Sequence, residues 1–159
     1  MTKTKPDSVE CTLVIVKPDA MQRRLLGVII QRLERKGLVM IAGEMRQLSR
    51  PLAEQHYLSH KGKYFYPRLM NFITSGPLFI SVWKGPGAIR RVRTLVGATS
   101  PDKAAPGTIR GDFALHTTHN LVHASDSSEA ARREIALFFP AIEFPEITPT
   151  DSDWLVPNE

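Results

Sequence analysis

The feature that most constrains the fold is an alternation of strand-type and helix-type segments that starts near the N-terminus. Residues 11–17 (CTLVIVK) form a run rich in β-branched side chains, which is typical of a buried strand, and the run ends at Pro18. Residues 25–36 then show the apolar spacing of an amphipathic helix, and Gly37 suits the helix C-terminus. A second strand-type segment follows at residues 39–48. This order predicts a strand–helix–strand unit.

The rest of the chain continues the alternation. We predict two short helices at residues 51–60 and 66–74, a strand at 78–83 and a basic helix at 88–96. A long loop at 97–112, a short strand at 120–122 and a last helix from about residue 126 follow. Four strands with intervening helices indicate an α/β or α+β domain with a four-stranded sheet. Their spacing alone leaves two topologies open, a split ferredoxin-like unit and a doubly wound sheet.

Length and composition indicate one globular domain across residues 1–159. The chain is 42% hydrophobic and 23% charged, and no apolar run approaches the roughly 20 residues of a membrane-spanning helix. The N-terminus lacks the apolar core of a signal peptide, and the single cysteine, Cys11, has no partner for a disulfide. We therefore expect a cytoplasmic protein with a flexible N-terminus (1–9) and an acidic, proline-containing tail (140–159).

His123 stands between a strand-type run and a helix start, in the sequence HNLVHASDSSEAARRE (119–134). Asp126 and Glu129 have the spacing of a capping box, which predicts a helix that begins within a residue or two of Asp126. The amides and dipole at such a helix N-terminus favour an anion such as phosphate. They also disfavour a protonated imidazole, so His123 is expected to be neutral and nucleophilic.

A phosphate site in this chain needs side chains, because neither the GxxxxGK[ST] loop nor a complete GxGxxG fingerprint is present. The candidates are Lys17, Arg93 and Arg110, each of which is also compatible with a solvated surface cation. The aromatic residues at 64–66 could stack on a base or simply fill the core.

Two other functions compete with a phosphate-transfer site. Without the acidic tail from residue 141, the chain carries 21 basic and 11 acidic residues, which suits polyanions and raises the possibility of an RNA-binding module. The aromatic motif of such modules is absent, so we do not expect nucleic acid as the main partner. His116, His119 and His123 would align on a helix as metal ligands, but residues 120–122 predict a strand, which separates them.

Segment NLVHASD (120–126) resembles the active-site signature of the nucleoside diphosphate kinase family, in which the histidine is transiently phosphorylated. Other segments resemble that family in the same order and spacing: TLVIVKPDA (12–20), RLERKGL (32–38), SGPL (75–78), the Val82-Trp83 pair, VGATSP (96–101) and PGTIRGDF (106–113). The resemblance covers roughly residues 10–139, most of the chain.

The resemblance implies an α+β sandwich with a ferredoxin-like, four-stranded antiparallel sheet covered by helices. It implies ping-pong transfer of the γ-phosphate from a nucleoside triphosphate to a nucleoside diphosphate through a phosphohistidine. Mg²⁺ is expected mainly on the nucleotide phosphates, with no metal ligands from the protein. A homo-oligomer, either a tetramer or a hexamer, is also implied. Independently of the resemblance, the composition indicates no membrane partner.

Site residues follow from the resemblance position by position. His123 is the nucleophile and Glu134 holds its ring, while Ser125 and Asp126 shape the turn that presents it. The residues implied around the phosphates are Lys17, Tyr57, Arg93, Thr99 and Arg110. Lys17 and Asn120 are also implied to reach the ribose, and Phe65 and Leu69 to cover the base. The implied catalytic group is His123, Glu134, Lys17 and Tyr57.

Overall fold

The computed structural model describes residues 8–147 and 149–155. Residues 1–7 of the N-terminus that was expected to be flexible lie outside the described residues, and the first strand already begins at Val9. Of the acidic tail, residues 148 and 156–159 lie outside them as well.

The described chain alternates strands and helices in the predicted order. The strands are β1 (Val9–Val16), β2 (Val39–Arg46), β3 (Leu78–Pro86) and β4 (Val122–Ala124). The helices are α1 (Pro18–Gln22), α2 (Leu26–Arg35), α3 (Arg50–His56), α4 (Tyr66–Ile73), α5 (Ala88–Val96), α6 (Ile109–Phe113), α7 (Ser128–Phe138) and α8 (Ser152–Leu155), with 3₁₀ turns at Leu58–His60 and Pro101–Lys103. Within the described ranges, no helix has the length and apolar character needed to cross a bilayer.

The strands form one sheet in the order β2-β3-β1-β4, and every neighbouring pair is antiparallel. This topology excludes the doubly wound alternative, whose strands run parallel, and confirms the ferredoxin-like sheet. Central strand β1 pairs with β3 along its whole length, from Val9 opposite Pro86 to Val16 opposite Phe79. Its other edge pairs only with β4, where Ile15 lies opposite His123.

Helices cover both faces of the sheet, as the sandwich prediction requires. Val14 and Val16 of β1 pack into one apolar cluster with residues of α2, α5 and α6, whereas Leu13 and Ile15 pack into a second cluster with α3, α4 and α7. Because the side chains on both faces of β1 are buried, its sequence is a continuous apolar run and does not alternate between apolar and polar residues.

The long loop predicted at residues 97–112 contains a 3₁₀ turn at Pro101–Lys103 and ends in a helix, so that prediction is wrong for residues 109–112. Helix α6 begins after Thr108, whose hydroxyl accepts the Gly111 N–H at 3.0 Å and donates to the Ala105 carbonyl at 2.6 Å. A five-residue helix is too short to show an apolar period, which explains why the pattern missed it. Arg110 therefore lies on a helix.

The junction between β4 and α7 also differs from the prediction. His123 is the middle residue of β4, and it does not follow the strand. The N-cap of α7 is Ser127, whose hydroxyl accepts the Ala130 N–H at 3.1 Å, so the capping box predicted for Asp126 and Glu129 is wrong. Ser and Asp are nearly equivalent N-cap residues, and sequence alone does not choose between neighbours.

Gly111 gives a direct test of the close packing around α6. A Cβ at this position would overlap the carbonyl oxygen of Ala105, so Gly111→Ala forces the backbone to shift. We predict that it lowers the free energy of unfolding by about 1–3 kcal/mol, the usual cost of overpacking. Urea unfolding at fixed protein concentration measures the change.

Gly27→Ala is the matched control, because Gly27 lies in α2 with no atom within 4 Å of an added Cβ. Alanine there should raise the free energy of unfolding by about 0.5–1 kcal/mol through its better helix propensity. Equal effects of the two substitutions would contradict the packing described for α6.

Candidate active site

Lys17 lies at the carboxyl end of β1, where the strand passes into α1, and its side chain is buried. Its Nζ donates to Asn120 Oδ1 at 2.7 Å, and its backbone N–H donates to the Leu121 carbonyl at 2.8 Å. Burial, together with the nearby Arg110, lowers the pKa of Lys17 to about 8. The two predicted ribose-binding residues, Lys17 and Asn120, are thus in direct contact.

Leu121 has a left-handed backbone conformation, with φ of +72°, although it is a fully buried, branched residue. Asp19 Oδ2 accepts its N–H at 3.1 Å, and its carbonyl accepts the Lys17 N–H. Such a conformation costs of order 1–3 kcal/mol and persists only where surrounding contacts hold it. The two bonds supply those contacts immediately before the strand that carries His123. Asp19 lies in the KPD segment, but no role was predicted for it.

His123 faces the side of α7 and not its N-terminus. Its Nε2 is buried and lies 3.1 Å from Glu134 Oε1, while 22% of the side chain remains exposed. The second carboxylate oxygen, Oε2, accepts a hydrogen bond of 2.6 Å from the Ser125 hydroxyl. Ser125 in turn accepts the Leu13 N–H at 3.2 Å, so the carboxylate is tied to central strand β1. The predicted contact between Glu134 and the ring is present.

The carboxylate of Glu134 is held in its ionised form. Burial by itself would raise the pKa of Glu134, but the contact with His123 and the hydrogen bond from Ser125 outweigh burial and lower the pKa below its usual value. A buried anion therefore lies against the imidazole, where it stabilises any positive charge that forms on the ring.

Arg110 is buried on α6, and three of its N–H groups donate to backbone carbonyls. Nε donates to Asn120 at 3.1 Å, and the two terminal nitrogens donate to Gly97 at 3.0 Å and Val122 at 2.6 Å. A guanidinium has five N–H groups, so two are left for a ligand. Burial and the neighbouring Arg93 lower the pKa of Arg110 to about 10, which leaves it charged at neutral pH.

Two aromatic residues at the end of α3 line the other side of His123. The rings of His56 and Tyr57 lie 4.7 and 6.3 Å from the His123 ring, centroid to centroid. The Tyr57 hydroxyl is buried without a hydrogen-bond partner among the described residues. Burial and the Glu134 carboxylate raise the pKa of Tyr57, so the hydroxyl keeps its proton and can donate a hydrogen bond to a ligand.

The predicted base-binding residues continue this row of rings outward. His60 stacks at 6.0 Å from Tyr57 and lies 5.6 Å from Phe65, whose ring is partly exposed. Leu69 is half-buried one turn along α4 from Phe65. A row of ring contacts thus leads from His123 through Tyr57 and His60 to Phe65.

The remaining predicted phosphate-binding residues, Thr99 and Arg93, lie near Asn120 and Arg110. Thr99 is exposed, and its carbonyl accepts the Asn120 side-chain amide at 3.1 Å. Arg93 is half-buried and lines an open cleft of about 700 Å³ that also includes Gly97 and Ser127. Arg93 and Thr99 therefore flank the buried residues without contacting His123.

His116 and His119, which were considered as metal ligands together with His123, lie apart from it. The rings of His116 and His119 lie 6.1 Å apart, and His119 packs against Phe72 at 4.6 Å. Because His123 lies in β4 beside His56, the helical alignment considered for His116, His119 and His123 is absent. His56 is the residue that the sequence analysis missed. It is 67 positions from His123, and no local pattern links the two.

Comparisons with known proteins agree with this arrangement. The family model described as "Nucleoside diphosphate kinase" matches residues 10–144. A nucleoside diphosphate kinase of Mycobacterium leprae is 57% identical over 134 residues, which are 84% of this chain and 98% of the relative. That of Archaeoglobus fulgidus is 52% identical over 147 residues, which are 92% of this chain and 97% of the relative.

Solved structures show the same likeness in three dimensions. The structure of a halophilic nucleoside diphosphate kinase from Halobacterium salinarum in complex with CDP has a TM-score of 0.89 and 48% identity, over 93% of this chain and 99% of that one. A family structure from Babesia bovis has a TM-score of 0.87 and 44% identity, over 92% of this chain and 99% of that one. By sequence and by fold, the chain belongs to the nucleoside diphosphate kinase family and is a transferase that passes phosphoryl groups between nucleotides.

Proposed function

We propose that the γ-phosphate passes from a nucleoside triphosphate to a nucleoside diphosphate through a phosphohistidine on His123. The observation that carries the proposal is the contact of 3.1 Å between His123 Nε2 and the buried Glu134 carboxylate. Because Nε2 is buried against that carboxylate, the other ring nitrogen, Nδ1, is the attacking atom.

In the first half-reaction the Nδ1 lone pair attacks the γ-phosphorus in line with the bond that breaks. The N–P bond forms as the bond from phosphorus to the bridging oxygen breaks, and the diphosphate leaves with the electron pair. The proton on Nε2 stays on the ring, which gains positive charge. In the second half-reaction the terminal oxygen of another diphosphate attacks the same phosphorus, and Nδ1 recovers its lone pair.

Glu134 acts on the charge that develops on the ring. Its carboxylate is ionised and buried, so its attraction to the forming imidazolium is stronger than it would be in water. Ser125 fixes the second carboxylate oxygen, which prevents the group from turning away. This positioning resembles the role of the carboxylate in a serine protease triad, which orients and stabilises an imidazolium.

Buried cations and one hydroxyl are proposed to bind the phosphates. Lys17 and Arg110 are charged groups with restricted solvation, and a phosphate anion compensates the repulsion between them. Tyr57 has a buried hydroxyl without a partner among the described residues, which a phosphate oxygen would satisfy. Arg93 and Thr99 would complete the site from the flank.

For the divalent cation that the family uses we propose Mg²⁺. Among the described residues, one trio of His, Cys, Asp or Glu side chains lies close enough to hold an ion, and two of its three ligands are imidazoles. Mg²⁺ prefers oxygen ligands, so it fits phosphate oxygens and water better than this trio. When bound, it would neutralise charge on the phosphates.

Other parts of the proposal concern the nucleotide and the assembly. Phe65 and Leu69 would cover the base, and Lys17 and Asn120 would reach the ribose. The homo-oligomer, as a tetramer or hexamer, and the cytoplasmic location stay predictions, as do the division into one domain and two terminal segments.

Replacing the nucleophile tests the proposal. We predict that His123→Ala lowers nucleotide exchange by at least about a thousandfold, because neither half-reaction can form the N–P bond. The measurement is the steady-state rate with ATP as donor and GDP as acceptor.

His119→Ala is the control, since the His119 ring packs against Phe72 and, among the described residues, makes no ring contact with His123, so its loss should change the rate by less than about twofold. Exchange by His123→Ala at more than about a tenth of the parent rate would contradict a covalent role for His123.

Lys17 predicts a pH dependence of nucleotide binding. Its pKa of about 8 means that the free protein loses this charge as the pH rises through 8, whereas a bound phosphate favours the charged form and raises the pKa. Binding therefore takes up a proton above pH 8. The Kd for ADP should rise by up to about tenfold per pH unit above that point.

Titration calorimetry of ADP at a series of pH values between 7 and 9.5 measures this slope. Lys17→Gln should bind more weakly at neutral pH and lose the slope. Lys36→Gln, at an exposed position after α2, should keep it. A wild-type Kd that stays constant across the series would be inconsistent with Lys17 as a phosphate ligand.

A further inference from the structure

Three side chains with metal-ligating atoms converge at His123. His56, His123 and Glu134 each offer one ligand atom, and these atoms all lie within 4.8 Å of one another. They come from α3, β4 and α7, so three separate elements bring them together.

His56 has no partner for either of its polar atoms. Both ring nitrogens are buried without a hydrogen bond among the described residues, although the ring packs against Tyr57 at 4.4 Å and Phe138 at 5.1 Å. A buried polar group without a partner costs free energy, so such atoms usually mark a missing water, ion or ligand. The proposed transfer mechanism gives His56 no role.

We propose that His56, His123 and Glu134 form a binding site for a transition-metal cation of the Zn²⁺ class, separate from the cation carried by the nucleotide. Two imidazole nitrogens and one carboxylate oxygen are a donor set found in zinc sites that keep a fourth position open. A hard cation such as Mg²⁺ prefers six oxygen ligands and is disfavoured by the same set.

Little rearrangement is required to close the site. Ligand atoms around a tetrahedral zinc ion lie about 3.4 Å apart, given metal–ligand bonds of about 2.1 Å. The distance between His123 Nε2 and Glu134 Oε1 is already 3.1 Å. Only the His56 ring has to approach, and it breaks no hydrogen bond in doing so.

Metal binding would compete with phosphorylation of His123. A neutral imidazole that gives the Nε2 lone pair to a metal carries its proton on Nδ1, which then has no lone pair for attack on phosphorus. The cation also takes the carboxylate that would stabilise the ring. This inhibition rests on the proposed function, whereas binding of the cation does not.

Titration calorimetry of Zn²⁺ into the nucleotide-free protein tests binding. The expected result is one ion per chain for the parent. Zn²⁺ affinity should fall at least about tenfold in His56→Phe, which preserves ring packing, and in Glu134→Gln. Loss of a direct metal ligand costs no less affinity than loss of a residue that only hydrogen-bonds to a ligand. Thermal unfolding without metal shows that each variant is folded. Added Zn²⁺ should raise the Tm of the parent but not of the variants.

The matched control is the double variant His116→Ala/His119→Ala, which removes the other pair of neighbouring histidines. It should bind Zn²⁺ like the parent. Equal affinity in His56→Phe and the parent, or loss of binding in the control, would overturn the site.

A second measurement separates inhibition from binding. Phosphate uptake from labelled ATP is followed at a free Zn²⁺ concentration set by a metal buffer. Zn²⁺ should slow uptake by the parent and leave the rate of His56→Phe at its own zinc-free value. Binding without slowing would overturn the competition. Full exchange by His123→Ala would instead overturn the proposed function, while the calorimetry would still decide the metal site.

Discussion

Strand β4 is only three residues long, and its antiparallel pairing with β1 sets the position of His123. The residue lies opposite Ile15 of the central strand, which is buried on both faces and therefore cannot shift without disturbing two apolar clusters. Hydrogen bonds on either side extend the strand pairing. The Lys17 N–H donates to the Leu121 carbonyl, and the Ser125 N–H donates to the Leu13 carbonyl. The core of the protein thus fixes the position of the nucleophile.

The buried charges of the site are unbalanced, and the phosphates of a bound nucleotide would balance them. Lys17 and Arg110 are buried near one another, and each has a lowered pKa for which burial is the main cause. Glu134 is the buried anion, but it lies against His123. A phosphate placed between the cations and the imidazole would offset the cationic charge. In the same position it would also lie next to the nucleophile. Water excluded from such a site strengthens each of these interactions.

Sequence patterns predicted regular elements better than side-chain positions. Helix α5 was placed at its observed bounds, Ala88–Val96, because its apolar face has a clear helical period. The position of His123 within β4 and the α6 location of Arg110 were missed, since each depends on a segment too short for a period. The start of α7 was predicted to within two residues, but the capping box was assigned to Asp126, one residue before the observed cap, Ser127. The contact with His56 had no local signal at all, because it arises from packing of α3 beside the sheet. Only the resemblance to the family predicted that Glu134 would meet His123.

The most direct test of this account is the chemical identity of the phosphorylated atom. The protein is incubated with ATP, freed of nucleotide and examined by phosphorus NMR under non-acidic conditions, with peptide mapping to locate the group. The account predicts an acid-labile, base-stable phosphate on His123 Nδ1 that disappears when a nucleoside diphosphate is added. A phosphate on Nε2 or on another residue, or a protein that exchanges nucleotides without becoming phosphorylated, would contradict it.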